Sequence, residues 1–178
     1  MISRVATSTL FISLLASCSS MSPSMYSQTD LPAAVQAPAG NKVAMEMVGV
    51  GTITYKCSAK KDMSEQFEWV FVGPDAKLND RNGKQLGKYY GPPATWESMD
   101  GSKLTGTQVA IAPASAGSIP NQLVKANPAS GAMGGVTYIQ RVKTMGGVAP
   151  TTTCAANNMG TEQVVKYQAD YIFYKTAI

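Results

Sequence analysis

Residues 164–174, Val-Val-Lys-Tyr-Gln-Ala-Asp-Tyr-Ile-Phe-Tyr, are the stretch of sequence that decides the fold. Apolar and aromatic side chains alternate there with polar ones, the first set being Val165, Tyr167, Ala169, Tyr171 and Phe173. The polar set between them is Lys166, Gln168 and Asp170. Because successive side chains of a strand point to opposite faces of a sheet, this period of two predicts a β-strand with one face in a core.

Similar short stretches recur along the chain and predict further strands. Extended segments are expected at residues 42–57, 65–72, 96–99, 103–112 and 136–142. Asn82-Gly83 and Asp100-Gly101 supply the positive φ angles that tight hairpin turns need. No long amphipathic helix is found. The sequence therefore predicts an all-β protein, an antiparallel β-sandwich or barrel of about seven or eight strands with a long loop.

Two segments are expected to interrupt the strands. Gly73-Pro74 is expected to end the strand at 65–72. Residues 113–135 are rich in small residues, proline and glycine, and are predicted to form a long surface loop with one helical turn near 121–126.

The N-terminal segment has the anatomy of a bacterial lipoprotein signal. Arg4 precedes an apolar run that is too short to span a bilayer, and Leu15-Ala16-Ser17-Cys18 matches a lipobox. The predicted organisation is a signal peptide at 1–17, a flexible tether at 18–30 that starts at lipidated Cys18, and a single β-rich domain at 31–178. The alternative is an ordinary secretory signal that contains a cysteine. Ser19, rather than Asp, after the cysteine favours the outer membrane.

Composition excludes several classes of function. The chain of 178 residues carries a formal net charge of +4 with acids and bases interspersed, which is too weak a charge to argue for nucleic acid. It contains no histidine, so the commonest general base and zinc ligand is missing. We expect no cofactor and no metal. Cys57 and Cys154 remain as an even pair in an oxidising compartment, and we expect a disulfide rather than two buried thiols.

Two longer blocks carry a resemblance to a known family. They are Thr95-Trp96-Glu97-Ser98-Met99-Asp100-Gly101-Ser102 and the segment 139–154, which follows the pattern IQRxxTxGGxAPxxxC. Over roughly residues 31–176 the chain resembles the domain-of-unknown-function 3455 family of bacterial and fungal secreted proteins. The resemblance implies no established activity. Many members carry histidine before the Gly-Pro block, where this chain has Lys88-Tyr89-Tyr90.

The strongest candidate binding cluster is the set Tyr89, Tyr90, Trp96, Glu97 and Asp100. Aromatic faces beside carboxylates suit carbohydrate or peptide binding. The alternative is that Trp96 lies in the core, Asp100 forms a turn and Glu97 is solvated. Arg141 lies in an apolar strand, and we expect it to pair with an acid across the sheet, with Asp170 as the candidate. The alternative is that Arg141 forms an anion site.

These features favour a lipid-anchored envelope protein without enzymatic activity that binds a protein or a glycan. One alternative is an inhibitor of c-type lysozyme, because Tyr55-Lys56-Cys57 matches the short Tyr-x-Cys motif of periplasmic inhibitors. A second is a hydrolase in which Glu97 and Asp100 act as a carboxylate pair.

Overall fold

The computed structural model describes residues 26–177, apart from the side chain of Ser64. It contains eight strands: β1 (Asn41–Lys60), β2 (Met63–Asn79), β3 (Gln85–Tyr90), β4 (Thr95–Ser98), β5 (Lys103–Ala112), β6 (Asn121–Ala126), β7 (Val136–Gly146) and β8 (Glu162–Thr176). Each strand pairs antiparallel with the next one, and β8 pairs back with β1. The sheet closes into an uneven ring, because its strands differ in length from 4 to 20 residues. The all-β prediction is confirmed, and the closure selects the barrel over the sandwich.

The interior of the ring is the main apolar core. The alternation predicted for β8 places Tyr167, Ala169, Tyr171 and Phe173 in it. Opposite them stand inward residues of the other strands, including Leu78, Trp96, Leu104 and Ile139. Gly49 lets Tyr171 cross the lumen, since a Cβ at residue 49 would lie 2.5 Å from the Tyr171 ring.

Strand β2 continues through Gly73-Pro74, so the expectation that the strand ends there is wrong. The register between β1 and β2 shifts at Thr54/Tyr55, which leaves Val72 without a partner on β1. A bulge of this kind bends a strand and accommodates a proline that has no N–H to donate. Beyond the bulge, β1 and β2 continue together as a long hairpin with Phe71 on its inner face.

The segment 113–135 is not one long loop, because it contains β6. Leu123 and Val124 of this strand are buried on opposite faces, and Gln122 pairs with Arg141 on β7. The strand has only six residues, and prolines at 120 and 128 flank it, so its apolar content is too small to form a visible pattern. A strand therefore replaces the helical turn expected at 121–126.

A second apolar cluster covers the outer face of the barrel beside β7 and β8. The segment 26–40, which we call the N-terminal strap, crosses this face and buries Val35 and Ala37 against Val142 and Ile172. Two residues of the expected tether, Tyr26 and Gln28, therefore contact the barrel. Strand β8 is buried on both faces. This explains why Ile172 and Tyr174 stand at positions of the alternation that are polar earlier in the strand.

Gln140 is the polar centre of the strap interface and is completely buried. Its Nε2 donates to the Val35 carbonyl at 2.7 Å and to Gln28 Oε1 at 2.9 Å. Its Oε1 accepts from the hydroxyl of Tyr174 at 2.7 Å and from that of Tyr26 at 3.0 Å. Burial raises the pKa of Tyr26 to about 12, so its hydroxyl stays a donor at neutral pH.

The predicted disulfide between Cys57 and Cys154 is confirmed. It joins the inner face of the β1–β2 hairpin to the loop between β7 and β8. Trp69 reinforces the same connection, since its Nε1 donates to the Thr152 carbonyl at 2.8 Å.

Among residues 26–177, no helix combines the length and apolar character that a membrane crossing requires. The predicted signal peptide and Cys18 lie outside the described residues, so both stay predictions.

Candidate functional site

An aromatic floor crosses the lumen of the barrel. Tyr89 on β3 and Trp96 on β4 are cross-strand partners, and their rings stack with centroids 4.8 Å apart. Tyr171 on β8 meets both, tilted at 5.1 Å from Tyr89 and edge-on at 5.9 Å from Trp96. All three side chains are buried, so the floor closes the lumen at this level.

Above the floor a cavity opens at one mouth of the barrel, with a volume of about 360 Å³. Its wall consists of Phe71, Ala94, Gly106, Gln108, Gln122, Val124 and Arg141, together with Tyr89 and Trp96. Phe71 leaves 52% of its surface exposed at the rim and contacts Tyr55 edge-on at 6.1 Å. Gly106 lets β6 approach β5 closely at this wall, since a Cβ there would lie 2.6 Å from the Lys125 carbonyl oxygen.

Hydrogen-bond donors line the polar part of this cavity. Trp96 is 1% exposed, and its Nε1 is buried without a hydrogen-bond partner among the described residues. Gln122 Nε2 donates to Gln108 Oε1 within the wall at 2.6 Å. Burial raises the pKa of the Tyr89 hydroxyl, although the nearby Arg141 charge opposes this, so Tyr89 is neutral at physiological pH.

Arg141 on β7 faces the lumen. Its cross-strand partners are Gln122 on β6 and Tyr171 on β8. Its Nε and Nη2 donate to the Pro120 carbonyl at 3.3 and 3.0 Å. The expected pairing of Arg141 with Asp170 is wrong.

Asp170 alternates along β8 with the inward-facing tyrosines Tyr167 and Tyr171, so its side chain lies on the outer face. There it pairs with Arg81 at 2.8 Å and with Lys143 at 3.8 Å. Arg81 also bridges to Glu46 at 2.8 Å, which ties the β2–β3 turn to β1.

Tyr90 and Glu97 lie on the outer face of the β3–β4 pair, away from the cavity. Tyr90 donates to Glu97 Oε2 at 2.7 Å, and Lys88 and Lys103 lie 3.3 and 3.6 Å from the same carboxylate. The Tyr90 hydrogen bond, together with these lysines, lowers the pKa of Glu97. This carboxylate is therefore ionised and held by its neighbours.

Asp100 forms part of a turn, as the alternative interpretation expected. Gly101 has a φ of +81°, and the Asp100 carboxylate accepts from the Ser102 hydroxyl at 2.6 Å and from the Ala132 amide at 2.9 Å. These bonds, the Ser102 hydroxyl first, lower the pKa of Asp100 to about 2. A general acid needs a raised pKa, so neither Glu97 nor Asp100 suits that role.

Comparison with known proteins agrees with the resemblance in the sequence. The family model described as a protein of unknown function, DUF3455, matches residues 38–175. The chain belongs to the DUF3455 family. No curated protein and no solved structure matches it.

Sequence reasoning assigned two of the cavity residues of this DUF3455 chain, Tyr89 and Trp96, to a binding site, whereas it assigned Arg141 first to an ion pair. One sequence signal indicates that Arg141 faces the lumen. It lies two residues after Ile139 on the same strand, and Ile139 is buried in the lumen. Of Tyr55-Lys56-Cys57, Tyr55 and Cys57 are buried. Lys56 is therefore the residue of that motif that a lysozyme could reach.

Proposed function

We propose that this DUF3455 chain is a non-enzymatic binding protein of the cell envelope that holds a glycan in the cavity at the barrel mouth. One observation carries the proposal: a cavity opens at the barrel mouth beside the stacked rings of Tyr89 and Trp96, and Gln108, Gln122 and Arg141 line it. Amide and guanidinium groups donate hydrogen bonds to the oxygens of a sugar.

The size and chemistry of the cavity favour a sugar over an extended peptide. A volume of about 360 Å³ lies at the lower end of the range typical of small-molecule pockets, roughly 300–1,000 Å³. The exposed ring of Phe71 offers an apolar face for the C–H groups of a sugar. Gln108, Gln122 and Arg141 offer polar groups for its oxygens.

Binding without chemistry fits the placement of the carboxylates. Within the described part of the chain, the wall of the cavity includes no Asp and no Glu. Glu97 and Asp100 lie outside it, with lowered pKa values, in structural hydrogen bonds. A carboxylate hydrolase has two such groups flanking the scissile bond.

The proposed anchor places this cavity near a membrane. If Cys18 carries the acyl chains, the chain between it and Tyr26 spans at most about 29 Å. The strap then holds the barrel by its β7–β8 side within that distance of the lipid surface. This favours a ligand that belongs to the envelope, at the outer membrane.

We expect neutral and acidic monosaccharides to change the fluorescence of Trp96 in a saturable way. The chain has two tryptophans, so Trp69→Phe leaves Trp96 as the sole emitter. A sugar that enters the cavity changes the environment of the Trp96 ring, which lines it, and titration of this variant with a monosaccharide panel measures the change.

Ala94→Leu fills the cavity and is expected to weaken binding at least tenfold. Ala44→Leu adds the same atoms at an exposed position of β1 and is expected to change affinity less than twofold. Absence of any sugar response in Trp69→Phe, or equal binding by the Ala94→Leu protein, would contradict the proposed function. Capture of a protein instead of a sugar would have the same consequence.

Cys18→Ala is expected to move the protein from the membrane pellet to the soluble periplasmic fraction. Two or three acyl chains on one residue anchor a protein stably, and this change removes the attachment atom. Fractionation of cells followed by mass measurement checks this, with Ser20→Ala, which keeps Cys18, as the control. A mature unaltered protein whose mass shows no acyl chains on Cys18 would rule out the anchor.

A further inference from the structure

Arg141 is a lumen-facing cation without a counter-ion. It forms no ion pair with any carboxylate between residues 26 and 177, whereas Arg81 pairs with two. Its contacts in this part of the chain are the two hydrogen bonds to the Pro120 carbonyl. An arginine stays charged at all accessible pH values, and its planar fork suits a carboxylate.

The tyrosines around Arg141 do not neutralise it. Burial raises the pKa of Tyr89, Tyr167 and Tyr171, with the Arg141 charge as an opposing influence on each. These hydroxyls are therefore neutral at physiological pH. Within residues 26–177, the wall of the cavity thus carries one positive charge and no negative charge.

A pocket with one cation that lacks a carboxylate partner favours a ligand with one negative charge. The amide side chains of Gln108 and Gln122 line the same cavity. A guanidinium beside amide groups suits a ligand that carries both a carboxylate and hydroxyl groups.

We propose that the ligand is a sugar acid, with its carboxylate on Arg141 and a hydroxyl group on the amide of Gln122. This inference rests on the proposed function and names its ligand class. A cavity of about 360 Å³ holds one hexuronate ring, and Phe71 at the rim lies where the next sugar of an acidic polysaccharide would leave the mouth.

The test compares D-glucuronate with D-glucose at equal ionic strength, using Trp96 fluorescence of the full chain that carries Trp69→Phe. Glucuronate is expected to bind at least tenfold more tightly than glucose. Arg141→Gln is expected to remove this preference and leave the two affinities within twofold. Lys88→Gln removes a positive charge from the outer face and is expected to keep the preference.

Two further outcomes separate the inference from the proposed function. Equal affinity for the two sugars in the unaltered pocket overturns the sugar-acid inference and leaves glycan binding standing. Binding of neither sugar overturns both. Because Arg141→Gln removes the support of the Pro120 loop, Arg141→Lys provides a second variant. It keeps the charge and is expected to keep a glucuronate preference of at least threefold, and loss of that preference overturns the inference.

Discussion

Replacement of Cys57 and Cys154 together by alanine is expected to lower the free energy of unfolding by about 4–5 kcal/mol. The two cysteines are 97 residues apart, and a loop of that length loses much conformational entropy when it is closed in the unfolded chain. A typical domain has only about 5–15 kcal/mol of stability in total. The variant should therefore be close to unfolding at 37 °C.

Urea unfolding followed by tryptophan fluorescence measures this loss. The Cys18→Ala chain is the reference, so that lipid does not enter the comparison, and the double change is made in that background. The result would contradict our account of the crosslink if the midpoint and slope gave a loss below about 1 kcal/mol. In that case the long β1–β2 hairpin would hold the β7–β8 loop without the covalent bond.

Gln140→Leu is expected to cost about 3 kcal/mol of stability and to free the N-terminal strap. The substitution keeps the size of the side chain and removes an amide that makes four hydrogen bonds inside an apolar cluster. The Val35 carbonyl and the Tyr26 hydroxyl lose partners, and buried polar groups without partners are costly.

Gln122→Leu is the matched control for this change. Gln122 is partly exposed at the barrel mouth, and its side chain donates one hydrogen bond, to Gln108. We expect it to cost less than about 1 kcal/mol. Urea unfolding gives the energies, and hydrogen exchange of residues 26–40 reports the strap. Equal costs for the two variants, with unchanged exchange in the strap, would show that Gln140 does not hold it.

The strand that the sequence predicted most clearly is one with a strict period of two. The segment at 164–174 showed the clearest alternation, and it is the strand that contributes most aromatic side chains to the lumen. A sheet with one face in a core imposes this period on its sequence. The strap was not predictable in the same way, because Gln28 and Gln140 are far apart in the chain and match only after folding.

Half of the candidate site followed from the sequence for the same physical reason. Tyr89 and Tyr90 are neighbours, so a strand must direct them to opposite faces, and likewise Trp96 and Glu97. The sequence pattern suggested one cluster of all four residues. In the fold, Tyr89 and Trp96 lie at the cavity, whereas Tyr90 and Glu97 point outward. Only the closure of the ring brings Arg141, on a distant strand, to the same mouth.

A crystal structure of the protein soaked with D-glucuronate tests the central claim, that the barrel mouth is a ligand site, most directly. Our account predicts one sugar ring in the cavity, with its carboxylate within hydrogen-bond distance of Arg141 and a hydroxyl group about 3 Å from the Gln122 amide. Density for the sugar elsewhere on the barrel, or a cavity that holds only solvent at saturating sugar, would contradict it.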